Sequence, residues 1–127
     1  MILLTNTVPQ TIPVGGSVAF DTVIFQTGNG ECHRANSAGV SMRCRGIYEV
    51  NFSADVSGTA PLELTIEAGG EPLPETVMSS ASATAQNVST MTALRNCCTG
   101  YERVTVVNTG ANDVTVESPK LFVKRIA

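Results

Sequence analysis

In the stretch Gly46–Gly58, GIYEVNFSADVSG, apolar and polar residues alternate without a break from Tyr48 to Ser57. Tyr48, Val50, Phe52, Ala54 and Val56 fall on one face, and Glu49, Asn51, Ser53 and Asp55 on the other. Period two belongs to an extended strand, whose successive side chains point to opposite faces, so this segment reads as a half-buried β-strand. Leu62–Glu67 repeats the device, with Leu62, Leu64 and Ile66 inward and Glu63, Thr65 and Glu67 outward. Gly69-Gly70 then supplies a hairpin turn, because glycine accepts positive φ without a Cβ clash.

The same punctuation continues to the C-terminus. Residues 78–95 carry a weaker signal, since Val88, Met91 and Leu94 also fit a helical spacing. Their Ser/Thr content and lack of helix-favouring charge pairs predict two strands meeting around Ala85–Asn87. Turns are expected over 108–113, and Pro119 predicts a bend or edge before a final strand. So many short strands with turns between them specify an all-β, two-sheet antiparallel sandwich or barrel.

Two strands break the one-faced pattern. Val104 and Val106 share one face while Val107 takes the other; Leu121 and Val123 oppose Phe122 and Ile126. A strand apolar on both faces needs cover on both. In a small all-β domain a second subunit is the natural cover, which makes Val104, Val106, Val107, Leu121, Phe122, Val123 and Ile126 candidates for a subunit interface.

A chain of 127 residues with 43% hydrophobic and 15% charged residues is one globular domain. Its formal charge of −3 gives no general attraction to nucleic acid or to an anionic membrane. No segment reaches the roughly 20 apolar residues of a membrane span. MILLTNTVP has neither a basic leader nor a small-residue cleavage site, so no signal peptide is expected. Residues 1–12 read as an N-terminal arm, with Ile2, Leu3 and Leu4 as docking residues, ahead of a domain over 13–127.

The chemistry is sparse. Cys32, Cys44, Cys97 and Cys98 lack the paired knuckles of a thiolate zinc site and the Cys-x-x-Cys of a redox centre. Two readings stay open: staples from the 97–98 pair to Cys32 or Cys44, within or between chains, or reduced buried cysteines acting as small hydrophobes. A disulfide between the adjacent Cys97 and Cys98 would be strained. His33, the single histidine, sits in a Gly/Asn/Ser-rich stretch without a nucleophile elbow. Glu63 and Glu67 share the solvent face of one strand, where a solvated surface explains them better than a glycosidase pair. No cofactor, metal or catalytic residue is expected. With no tryptophan, an aromatic sugar platform has little support, though a shallow polar sugar site in the loops stays open.

The order of these elements resembles the tumour-necrosis-factor-like and complement-globular-head jelly roll. The matching pieces are VGGSVAF, GIYEVNFSADV, LELTIEAGGEPLP, VTVVNTG and the closing LFVKRIA, which together span roughly residues 12–127. More narrowly, ECHRANSAG, the GEPLP hairpin and the cysteine pair before VTVVNTG are similar to small stand-alone jelly-roll proteins of phages and prophages of gut Firmicutes. Related spore-surface domains cap collagen-like stalks, but no Gly-X-Y run occurs here. The resemblance implies a homotrimeric jelly roll on a virion surface, as a head-decoration or short-fibre protein. It also implies capsid or other virion proteins as partners and synthesis in the bacterial cytoplasm. The alternative is a carbohydrate-binding adhesin that recognises a host-surface glycan.

Overall fold

The computed structural model describes residues 1–28, 31–32, 37–81, 84–96 and 102–127. The strands are β1 (Ile2–Thr5), β2 (Gln10–Ile12), β3 (Ala19–Phe20), β4 (Thr22–Gln26), β5 (Glu31–Cys32), β6 (Ser37–Ala38) and β7 (Val40–Met42). They continue with β8 (Gly46–Gly58), β9 (Leu62–Ala68), β10 (Glu71–Pro72), β11 (Met78–Ser80), β12 (Gln86–Asn96), β13 (Glu102–Asn108) and β14 (Val114–Arg125). The first six-stranded sheet runs β12-β8-β14-β1-β4, with β2 beside β14. The second runs β10-β9-β13-β7-β5, with β11 beside β9, while β3 and β6 pair separately. All pairings are antiparallel, so the expected two-sheet sandwich is what forms.

Alternation decides which side chains meet between the sheets. Tyr48, Val50, Phe52, Ala54 and Val56 of β8 are buried, as are Leu62, Leu64 and Ile66 of β9. Burying each of the larger of these contributes about 1.5–3 kcal/mol. Tyr48 keeps its one polar atom satisfied by donating to the Cys44 carbonyl at 2.7 Å, and burial pushes the pKa of its phenol upward. Gly69 and Gly70, at φ 60° and 85°, make the turn between β9 and β10. The weaker segment resolves into β11 and β12, with Val88 and Leu94 packed on the core and Met91 pointing away from it. That split is the strand parity, not the helical face that the three residues also fit.

Three expectations are corrected. Residues 1–12 are not an arm: β1 is hydrogen-bonded between β14 and β4, and β2 lies beside β14. Ile2 and Leu4 are fully buried and only Leu3 faces outward, so none of the three is held out for docking as an arm. Pro119 does not separate two strands. The pairing of β14 with β8 slips by one residue between Glu117 and Lys120, with Ser118 at φ 49°. The bulge absorbs a residue with no N–H and flips the parity, so Val114 and Val116 face inward before it and Leu121 and Val123 after it.

The third correction concerns the subunit-interface residues. Val104, Val106, Leu121 and Val123 are each 0% exposed, so they belong to the protomer core. Val107 does point to the opposite side of β13, across the ladder from Thr65, but at 8% exposure it too is buried within the protomer. The segment ahead of β3 runs beside β13 there: Ser17 bridges to Val107, Val18 N–H bonds the Val106 carbonyl at 2.8 Å, and Gly15 N–H bonds the Asn108 carbonyl at 2.8 Å. Phe122 and Ile126 are left facing outward.

Candidate functional site

The outer face of the first sheet is laid out by cross-strand register. Met91 of β12 pairs with Asn51 of β8, Asn51 with Phe122 of β14, Phe122 with Leu3 of β1, and Leu3 with Phe25 of β4. Because every second residue of each strand points outward, these five side chains form one row across the sheet. All but Asn51 are apolar. The rings of Phe25 and Phe122 meet edge to face, 6.5 Å between centroids at 61°, on either side of Leu3. Such a pair adds about 0.5–1.5 kcal/mol beyond its area. Met91 is 63% exposed and Phe25 40%.

A shallow hollow of about 360 Å³ opens along this row, walled by Met91 and Phe122 with Asn51, Ser53, Ser89 and Lys120 at its edges. The neighbouring rows are polar. Toward one end lies Glu49 opposite Lys124; toward the other, Asp55 lies opposite Glu117 and also accepts a bond from Asn87 at 3.1 Å. Two carboxylates directly across a ladder repel each other.

The outer face of the second sheet is polar, with Glu63, Glu67 and Thr105 half-buried and Arg103 exposed. Thr65 is 2% exposed although it points outward as expected, because the Thr109 hydroxyl sits 2.7 Å from its own. Thr109 also donates to Glu63 at 2.7 Å, and Arg103 donates through Nε to the Ala38 carbonyl at 2.7 Å. Glu63 and Glu67 therefore do not face each other across a cleft, and one of them is engaged by a neighbouring turn.

Among the described residues no three His, Cys, Asp or Glu side chains gather. Cys44 carries a half-buried free thiol. Cys97, Cys98, His33 and the side chain of Cys32 lie outside the described residues. Of the interface residues expected from the sequence, only Phe122 and Ile126 reach the outer face of the first sheet. Leu3, Phe25 and Met91 were missed as their partners, and the usable signal was the outward parity of DTVIFQ and NVSTMTALR once both were read as strands.

No protein-family model and no curated protein sequence matches the chain. Solved structures do match. Eiger TNF from S. frugiperda superposes with a TM-score of 0.78 at 10% identity, over 100% of this chain and 92% of that one. The globular domain of zebrafish complement 1qA gives 0.67 at 14% identity, over 95% and 94%. The PRD1 vertex protein P5 gives 0.58 at 15% identity, over 99% and 96%. With two antiparallel sheets and superposition over nearly the whole of both chains, the fold of this chain is the tumour-necrosis-factor-like jelly roll.

Proposed function

We propose that the chain is a non-enzymatic, homotrimeric surface component of a phage particle, a head-decoration or short-fibre protein. The observation that carries the assembly is the apolar row Met91, Phe122, Leu3 and Phe25, which a lone protomer leaves in water. Contiguous apolar surface on one sheet face marks an interaction site. A second copy of the same chain is the partner that the resemblance implies, and threefold symmetry would repeat each contact. The likeness to a phage vertex protein supports placement on a virion. Attachment to the particle then falls to loops or strand ends, since residues 1–12 are part of the sheet.

Light scattering of the purified protein at about micromolar concentration should give the mass of three chains; a monomer would sink the assembly. Peptide mass spectrometry of purified particles should find the chain in many copies. Its absence from particles would remove the virion role and leave the trimer standing.

A further inference from the structure

The strand ends nearest the β7–β8 loop gather charge that is scattered in the chain. Five of its eight Lys and Arg residues, namely Arg43, Arg45, Arg95, Lys124 and Arg125, come from that loop and from the last residues of β12 and β14. Register brings them together: Arg95 pairs with Ile47, Arg125 with Tyr48, and Ile126 N–H bonds the Ile47 carbonyl at 2.8 Å. Among the described residues, no ion pair or side-chain hydrogen bond engages the charged heads of Arg45, Arg95, Lys124 or Arg125.

Among the described residues, the nearby carboxylates form no ion pair with these four side chains. Glu49 stands across the ladder from Lys124 without an ion pair. Glu31 is 2% exposed and already occupied, accepting from the Met1 ammonium at 2.6 Å and the Arg125 backbone N–H at 2.8 Å. Glu102 lies behind, on the second sheet opposite Met42. Glu67 and Glu71 lie at the β9–β10 hairpin beside Glu102, while Asp55, Asp113 and Glu117 lie toward the opposite ends of β8 and β14.

Two separate hollows open at the cationic end. One, of about 340 Å³, is lined by Arg45 and Arg95 with Ile47 and Ala127. The other, of about 400 Å³, is lined by Lys124 and Arg125 with Cys44 and Glu31. Register sets Lys124 on the outer face opposite Glu49 and Arg125 at the strand end opposite Tyr48, so each hollow has two cationic residues at its wall.

We infer that this end binds an acidic polysaccharide, a glycan polymer whose repeat carries an anionic group, with successive anions seated in the two hollows. Guanidinium forks match planar or tetrahedral oxyanions, and a polymer with spaced charges reaches both pairs at once. Nucleic acid fits less well, because Tyr48 is buried and, among the described residues, no aromatic ring lines either hollow to stack bases. A lipid surface fits less well too, since Ile47 and Ile126 lie at strand ends and not on a protruding apolar loop. Virion incorporation is not required for this binding, and its test uses the purified chain alone.

The probe is heparin, with polygalacturonate as the carboxylate counterpart, measured by titration at about 50 mM salt and again at about 200 mM. Binding should be measurable at low salt and fall at least about tenfold at the higher salt. R45E/R95E and K124E/R125E should each lose at least about tenfold, whereas A111E, in the exposed turn before β14 at the opposite strand ends, should stay within about twofold of the parent. All these side chains are exposed, and thermal melting checks that the variants are folded. No binding at low salt, equal binding by the charge-reversed proteins, or stronger binding to single-stranded DNA or phosphatidylserine vesicles than to either polysaccharide would overturn the inference.

Discussion

The two sheets have similar inner faces and opposite outer ones. On the second sheet, the outward Thr65 and Val107 face each other across the ladder and are buried within the protomer, with the Thr109 hydroxyl 2.7 Å from that of Thr65. On the first, Phe122, Leu3, Phe25 and Met91 face outward, with Met91 63% and Phe25 40% exposed. An outward apolar residue is thus not in itself a sign of assembly. What matters is whether the protomer buries it, as it does Val107 but not Met91 or Phe25.

The largest expected effect lies on the core side of the uncovered sheet. Val123→Asp places a carboxylate with no partner at a fully buried position, at a cost of about 4–5 kcal/mol, much of a small domain's stability. Circular dichroism should show an unfolded protomer. One residue away, Phe122→Asp should leave the protomer folded and dissociate the assembly, because each copy loses a contact worth about 1.5–3 kcal/mol. Light scattering reads this directly, and Thr105→Asp on the second sheet should leave the mass unchanged. If both outer-face variants behave alike, the contrast between the sheets is wrong.

A smaller effect sits at the edge of the uncovered face. Glu117→Lys converts the repelling pair with Asp55 into an attractive one and should raise protomer stability by about 0.2–1 kcal/mol in urea melts. The smallest is a pH effect at the start of β4. The Thr7 hydroxyl, then the Thr22 hydroxyl, hold the Asp21 carboxyl below its ordinary value of 3.8, with help from the Thr7 backbone N–H. The lowered value means that the folded state favours the carboxylate. Its contribution is therefore present above 3.8 and lost as pH falls through the folded value. Asp21→Asn should flatten that part of the acid-stability profile, lowering stability slightly at neutral pH and leaving it unchanged below the folded value. An unaltered acid limb would show that the contacts around Asp21 contribute nothing.

Much of this was legible along the chain, and the failures have definite causes. β8 and β9 could be read residue by residue, because alternation states which face is buried without reference to any partner. The two-faced character of β13 and β14 was also visible, but its meaning was not. Period two assigns residues to faces; it does not say whether a face meets the opposite sheet, a returning loop or another molecule. So Leu121 and Val123 joined Phe122 in one interface set, although they lie on opposite sides of a sheet. Ile2–Leu4 looked like a loose arm because so short an apolar run carries too little pattern to reveal that β14 and β4 bracket it.

Charge divides the same way. The sequence alone determined an all-β sandwich of alternating strands and a modest net charge of −3. Only the tertiary structure decided that Arg45, Arg95 and Arg125, far apart along the chain, end on one edge, and that Met91, Phe122, Leu3 and Phe25 line up in one row. The physical reason is that alternation is set by the geometry of the single chain, whereas neighbours across a ladder are set by register. Register depends on turns, on the bulge at Ser118–Pro119 and on packing between sheets, all of which are settled together when the sandwich closes.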